Sequence, residues 1–352
     1  MHFPDMQIDA SFELIENPSQ NLPSWFAARK YTSVFVLTDQ HTKRHCLPLL
    51  KEWLPSNIQI IQIPAGEIHK QLETCSLVWG KLTKKNADRK SILINLGGGV
   101  IGDLGGFCAA AYKRGISFVQ IPTSLLAMVD ASLGGKTGID FEGFKNQIGA
   151  FAQPDAVWIY PPFLETLPEI ELLSGFAEII KHALIADAPA WHLLRKRELK
   201  KQDWKVLIPA SLRVKQAIVQ SDPFEKGERK KLNAGHTMGH ALESYLMKQG
   251  NPLPHGHCVA AGLVMESRIA VEKGLLPENE LIQMEELVYS LYGIIPFTKS
   301  DIPGIIKLSY QDKKNEGGIV KMALIGPIGE CRVDQEASET EMKMALRYYL
   351  GL

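Results

Sequence analysis

Apolar runs of strand length recur along the first half of the chain, at Ser33–Leu37 (SVFVL), Ile58–Ile63 (IQIIQI), Ser91–Leu96 (SILINL), Ser117–Ile121 (SFVQI) and Ala156–Tyr160 (AVWIY). They are rich in β-branched and aromatic residues, and the segments between the first four have helical length. That rhythm predicts βαβ units and a mainly parallel sheet. The opening segment Met6–Leu14 also reads as strand, an edge hairpin. After Tyr160-Pro161-Pro162 the pattern lengthens into amphipathic stretches at Glu171–Leu184, Trp204–Val219, Leu232–Met247 and His255–Lys273, so the second half should be mostly helical. The double proline marks the expected boundary, with an α/β domain over 1–162 and an α-helical domain over 163–352. There is no internal repeat and no low-complexity tract.

Composition narrows the class of partner. A chain of 352 residues that is 45% apolar and 22% charged is globular in character, which excludes collagen-like and disordered readings. Lys+Arg and Asp+Glu both number 39, so no global field attracts a nucleic acid or an anionic membrane, and any basic site must be local. The five cysteines are an odd number, lie far apart and include no CxxC, against a disulfide scaffold or a zinc ribbon. A reducing cytoplasm fits that usage. The N-terminus carries acids where a signal peptide carries Lys/Arg, and no stretch approaches 18 uninterrupted apolar residues, so the expectation is a soluble, unprocessed protein.

Three sequence elements carry chemistry. Gly97-Gly98-Gly99-Val100-Ile101-Gly102-Asp103 follows a predicted strand and opens a helical stretch, which is the context in which GxGxxG brings backbone N–H groups against a pyrophosphate. No acid follows between Leu104 and Val129 to hold ribose hydroxyls, but Asp39, at the end of the SVFVL strand, offers a substitute. Asp130-Ala131-Ser132-Leu133-Gly134-Gly135-Lys136-Thr137 has Asp where a Walker A loop needs Gly, which argues against a P-loop and leaves a glycine-flexed loop presenting Lys136 beside Asp130. His236 and His240 stand at i, i+4 on one helix face, with Thr237 where a zincin has Glu. With His255, His257 and Glu178, they supply two or three imidazoles and a carboxylate, a donor set for an open divalent site. Glu178 and Lys181 share a face at i, i+3. Lys215 and Arg229 read singly as solvated helix charges, and as a set they suit a small phosphorylated acid.

The chain resembles the 3-dehydroquinate synthases over nearly its whole length. The resemblance is carried by Gly97–Asp103, Arg114-Gly115-Ile116 with Gln120–Leu126, Val129-Asp130 with Gly134–Gly138, Phe163-Leu164 with Thr166-Leu167-Pro168, Ser174-Gly175 with Ala177–Lys181, Gly235–His240 and His255-Gly256. It implies a Rossmann-like sheet domain followed by a helical metal-binding domain. It also implies conversion of 3-deoxy-D-arabino-heptulosonate 7-phosphate to 3-dehydroquinate and phosphate, the second step of the shikimate pathway, with catalytic NAD and a divalent metal, Zn²⁺ or Co²⁺.

Residue by residue, the resemblance assigns the metal to Glu178, His236 and His255, and makes His240 a substrate and proton-transfer residue. The family has Glu where this chain has His257, which leaves His257 beside His255 as a candidate; His255 keeps its place in the motif. Other departures are Met128, Asp140 and Ile170. Lys136, Asn146, Asn233 and His240 would surround the phosphate, with Arg114 reaching it from a neighbouring subunit of a homodimer. Lys215 and Arg229 match a carboxylate-binding pair, and Asp130 and Lys181 bind ring hydroxyls. For NAD the matching positions are Asp39, Glu67, Lys70, Gly97, Gly98, Gly99, Val100, Asp103, Thr123, Ser124, Lys145 and Thr166. A lysine of Asp312-Lys313-Lys314 would also meet substrate. The rival readings are another sugar phosphate cyclase, an NAD- and metal-dependent polyol dehydrogenase of the glycerol dehydrogenase type, and a non-catalytic metabolite-binding protein.

Overall fold

A computed structural model describes residues 12–142, 144–310 and 319–352. The chain divides into two compact units between Pro168 and Glu169, six residues beyond the double proline, because the Pro161–Thr166 segment forms a 3₁₀ turn that packs with the first unit. Asp312-Lys313-Lys314 and most of the expected N-terminal hairpin lie outside the described residues.

The first unit contains strands β1 (Glu13–Leu14), β2 (Val34–Thr38), β3 (Gln59–Gln62), β4 (Ile92–Gly97), β5 (Ser117–Pro122), β6 (Lys136–Phe141), β7 (Phe144–Phe151) and β8 (Ala156–Ile159). Its helices are α1 (Pro18–Ala27), α2 (Gln40–His45), α3 (Leu72–Lys84) and α4 (Gly99–Ala111). Six strands form one sheet in the order β1-β8-β5-β4-β2-β3, with every neighbouring pair parallel. The first described strand, β1, pairs in parallel with β8, Glu13 and Leu14 opposite Trp158 and Ile159.

All residues of β2 and β4 are buried, which is why those strands read as unbroken apolar runs instead of alternating ones. Phe35, Leu37, Leu93 and Phe118 meet Val78, Leu82 and Leu104 of α3 and α4 in one core. Each such side chain contributes roughly 1.5–3 kcal/mol on burial. Trp158 of β8 packs edge-on to Trp25 and Phe26 of α1, with ring centroids at 4.8 and 5.9 Å. Because β2 lies between β3 and β4, the direction of winding reverses there, and ligands of open α/β sheets bind beyond the strands' carboxyl ends at such a point. Asp39 follows β2, and Gly97 ends β4, with Gly98 and Gly99 leading into α4.

The second unit is mainly helical: α5 (Glu169–Ala186), α6 (Ala188–Leu194), α7 (Trp204–Ser221), α8 (His236–Lys248), α9 (His255–Glu272), α10 (Glu278–Tyr292), α11 (Ile302–Ser309) and α12 (Glu339–Tyr349), with an antiparallel pair β9 (Val320–Ile325) and β10 (Cys331–Ala337). The sequence pattern places α5, α7 and α9 within a few residues of these bounds. The continuous helix expected over Leu232–Met247 is corrected. Glu228–Asn233 is a 3₁₀ turn, and α8 begins only after Gly235, whose φ of 75° is left-handed. All five cysteines are buried, and none is in a disulfide. Among the described residues no helix is long and apolar enough to cross a membrane.

Candidate metal centre and dinucleotide loop

In the second unit, three helices bring their donors together through backbone contact. A Cβ built on Gly256, in the first turn of α9, would stand 1.9 Å from the Ser174 carbonyl oxygen of α5, and one on Gly262 would stand 2.0 Å from that of Gly235. Only hydrogen fits at either place, so α9 lies directly against α5 and against the start of α8. Gly256 N–H donates to Ser174 Oγ at 3.1 Å. The buried Glu266 carboxylate of α9 accepts from the N–H groups of Gly235 (2.7 Å) and Met238 (2.9 Å), satisfying two donors where α8 begins.

That framework gathers Glu178 of α5 with His236 and His255, the first residues of α8 and α9. Glu178 Oε1 lies 3.6 Å from His236 Nε2 and 3.8 Å from His255 Nε2. Bonds of 2.0–2.1 Å in a tetrahedron put neighbouring ligand atoms roughly 3.3 Å apart, only a few tenths of an ångström closer. The other nitrogen of each ring is occupied: His236 Nδ1 lies 3.1 Å from the Ala234 carbonyl, and His255 Nδ1 lies 3.1 Å from Glu243 Oε2. Both Nε2 atoms are thereby left facing Glu178.

Glu178 is fully buried, and neither carboxylate oxygen has a hydrogen-bond partner among the described residues; Lys181, equally buried, forms an ion pair with it. A buried carboxylate that is paired with one ammonium, has no hydrogen-bond partner among the described residues and lies beside two oriented imidazoles fits a divalent cation. His240 joins the same group, its ring 5.1 Å from that of His236 and 5.5 Å from that of His255. His257 does not. It is buried edge-on to Tyr292, with centroids 5.3 Å apart, and burial pushes its pKa down.

Lys215 and Arg229 are not solvated helix charges. Lys215 on α7 is 6% exposed, and Arg229 is 5% exposed. Asp222 builds the turn under Arg229, its carboxylate accepting from the N–H groups of Lys226, Gly227 and Arg229. The Arg229 guanidinium donates to the Pro223 carbonyl at 2.8 Å. Asn233 donates its amide to Glu225 at 2.7 Å.

In the first unit, Gly98 is the N-cap of α4, and no described side chain caps that helix. Gly97, Gly98 and Gly99 line a small open hollow together with Ala131 and Ser132. The Ser132 hydroxyl is buried without a partner among the described residues. N–H groups at a helix start and an orphaned hydroxyl fit a phosphate oxygen. Thr123 N–H donates to the Gly97 carbonyl, and the Ser124 hydroxyl stands beside Gly98.

Lys70, buried, donates to Asp103 at 2.7 Å and to the Asn146 side-chain oxygen, with Glu67 at 4.0 Å. Asn146 adopts a φ of 50°, and its N–H donates to Asp140. The structure thus puts Asn146, expected near a phosphate, beside residues expected to hold NAD. Asp39 is engaged in capping α2, where its Oδ1 accepts from His41 and Thr42 N–H at 2.8 Å. Lys136 and Lys145 are exposed on β6 and β7. Asp130 lies in a π-helical turn over Ala127–Ala131, and Thr166 donates to the Phe163 carbonyl. Arg114 is exposed, with a φ of 67° between Lys113 at 51° and Gly115 at 113°.

Sequence reasoning missed Ser132, Glu243 and Glu266. Glu243 carried a usable signal, because it stands three residues after His240 and seven after His236, hence on the same helix face. Glu266 had none, since its partners are backbone amides on another helix.

The comparisons with known proteins agree with this geometry. Family profiles described as 3-dehydroquinate synthase N-terminal and C-terminal match residues 60–174 and 175–315. The 3-dehydroquinate synthase of Parabacteroides distasonis is 38% identical over 333 residues, covering 93% of this chain and 94% of that protein. The structure of ValA, a 2-epi-5-epi-valiolone synthase from Streptomyces hygroscopicus with NAD⁺ and Zn²⁺ bound, matches with a TM-score of 0.84 at 25% identity, over 97% of each chain. A 2-deoxy-scyllo-inosose synthase complexed with carbaglucose-6-phosphate, NAD⁺ and Co²⁺ shares the fold, with a TM-score of 0.82 at 22% identity over 96% of each chain. Both halves of the chain match one family, and so do the motifs from which the metal cluster and the glycine loop are built: the chain belongs to the 3-dehydroquinate synthase family.

Proposed function

We propose that this protein is a 3-dehydroquinate synthase. It converts 3-deoxy-D-arabino-heptulosonate 7-phosphate to 3-dehydroquinate and inorganic phosphate, acting as a homodimer in the cytoplasm. The observation that carries the reading is the buried Glu178 carboxylate facing Nε2 of His236 and His255, in a chain of this family. Glu178, His236 and His255 would hold the divalent ion, Zn²⁺ or Co²⁺. Gly97–Val100, Asp103, Asp39, Glu67, Lys70, Thr123, Ser124, Lys145 and Thr166 would hold NAD. When bound, the ion supplies Lewis acidity at hydroxyl and carbonyl oxygens and NAD accepts and returns a hydride.

The chain's own groups bind and orient the rest. Lys215 and Arg229 pair with the substrate carboxylate, and their burial makes that pairing strong. Asp130 and Lys181 bind ring hydroxyls. Lys136, Asn146, Asn233 and His240 hold the phosphate, where the His240 imidazole carries the proton that accompanies its departure. Two buried cations favour a substrate that carries a carboxylate over the uncharged polyol of a dehydrogenase or a sugar phosphate that has no carboxylate. The test follows phosphate release and absorbance at the NADH band with NAD⁺, Zn²⁺ or Co²⁺ and the heptulosonate phosphate. Phosphate should match substrate consumed while NAD⁺ is needed only in catalytic quantity. NADH accumulating in step with turnover would sink the reading in favour of a dehydrogenase.

Arg114 supplies a separate test of assembly. If its guanidinium reaches the phosphate in a partner subunit, Arg114→Ala should lower kcat/KM about 10- to 150-fold, the equivalent of roughly 1.5–3 kcal/mol for a charge-assisted contact. Mixing Arg114→Ala with Glu178→Gln subunits should then restore activity, because the mixed dimer has one site with its own Glu178 and its partner's Arg114. No recovery after confirmed subunit exchange rejects the shared site.

A further inference from the structure

His255 is the first residue of α9, preceded by Pro254, whose side chain makes no capping hydrogen bond. Its side chain keeps 28% of its surface exposed, and the rings beside it are those of His236 and His240. Position alone therefore does little to decide which way this imidazole turns or which nitrogen carries its proton. The carboxylate of Glu243, itself only 13% exposed, stands 3.1 Å from Nδ1. A carboxylate accepts and does not donate, so that contact requires Nδ1–H and leaves the lone pair on Nε2, the atom facing Glu178.

We propose that Glu243 is a positioning residue for the metal centre: it fixes the ring and tautomer of His255, so that α8 both contributes His236 and aims the imidazole contributed by α9. The inference rests on the reading of Glu178, His236 and His255 as metal ligands. The two histidines are oriented by different means. His236 is held by the backbone carbonyl of Ala234, which no substitution removes, whereas His255 depends on a side chain. Outer-shell carboxylates of this kind also raise the basicity of the ligating ring, and their loss typically costs about 10–100-fold in metal affinity.

The experiment titrates Co²⁺ into the chelator-stripped protein, reading the visible d–d bands and the dissociation constant by competition with a chromophoric chelator. Wild type, Glu243→Gln, Glu243→Ala and Glu178→Gln are compared. Glu243→Ala should bind Co²⁺ about 10–100-fold more weakly, with altered band intensities. Glu243→Gln, which keeps an acceptor oxygen but not the charge, should fall between it and wild type. The metal-free Glu243 variants should melt with the wild type. Glu243→Ala or Glu243→Gln binding Co²⁺ with wild-type affinity and spectrum overturns the proposal. So does a lowered melting temperature of the metal-free Glu243→Gln protein with unchanged affinity, since that is a purely structural role. Failure of the metal-site reading looks different, because wild type and Glu178→Gln would then bind Co²⁺ equally or not at all.

Discussion

Glu178→Gln is expected to abolish both bound metal and turnover while leaving a folded chain. Loss of one of three ligands should exceed the roughly 10–100-fold penalty of losing an outer-shell partner. Metal analysis of the purified variant and the phosphate-release assay should fall together. The substitution has a second effect. Lys181 is 1% exposed and forms an ion pair with Glu178, so the variant leaves an ammonium buried without that partner, at about 3–5 kcal/mol. The melting temperature should drop accordingly. The double variant Glu178→Gln/Lys181→Met removes both charges and should regain much of that stability without regaining metal. A double variant that binds metal would move the carboxylate out of the ligand set.

Gly256→Ala is expected to cost about 3 kcal/mol of stability or more, at the upper end for overpacking. The added methyl would stand 1.9 Å from the Ser174 carbonyl oxygen, and neither partner is the end of a flexible side chain that could turn away. Relief requires α9 to move off α5, which separates His255 from Glu178. Thermal melting and metal retention should therefore suffer together. Gly80→Ala, in α3, is the control. A Cβ there meets nothing within 4 Å, and the better helix former should add roughly 0.8–1.0 kcal/mol. If Gly256→Ala melts with wild type, the contact between α5 and α9 is looser than the structure has it.

Much of this architecture was legible because single patterns dominate where they occur. The SILINL strand and its glycine turn, and the amphipathic stretch from Trp204, announce themselves by periodicity and appear within a few residues of expectation. The β6–β7 hairpin was not legible. Its residues between Lys136 and Phe151 mix glycine, charge and exposed phenylalanine, so neither a helical nor an alternating period emerges. In the candidate site, motif and family resemblance named Glu178, His236 and His255, which the structure brings together, while it buries His257 against Tyr292. Asp39 shows what sequence leaves undecided. A carboxylate at the end of a parallel strand suits a ribose, and the same residue suits the first turn of the next helix. In the structure its Oδ1 does the second.

The pairing of β1 with β8 has a consequence for synthesis. These strands come from opposite ends of the first unit, and among the described residues β1 has no sheet neighbour other than β8, which reaches the rest of the sheet through β5. On a ribosome adding about 5–20 residues per second, β2, β3, β4 and β5 are all made before the strand that docks β1 exists, an interval on the order of ten seconds. During that time Trp158, the ring that Trp25 and Phe26 pack against, has not been made, and the open side of β5 presents unpaired backbone. A nascent chain arrested just before Ala156 would therefore lack two strands at once, and that edge of the sheet is where premature release would expose a surface prone to aggregate.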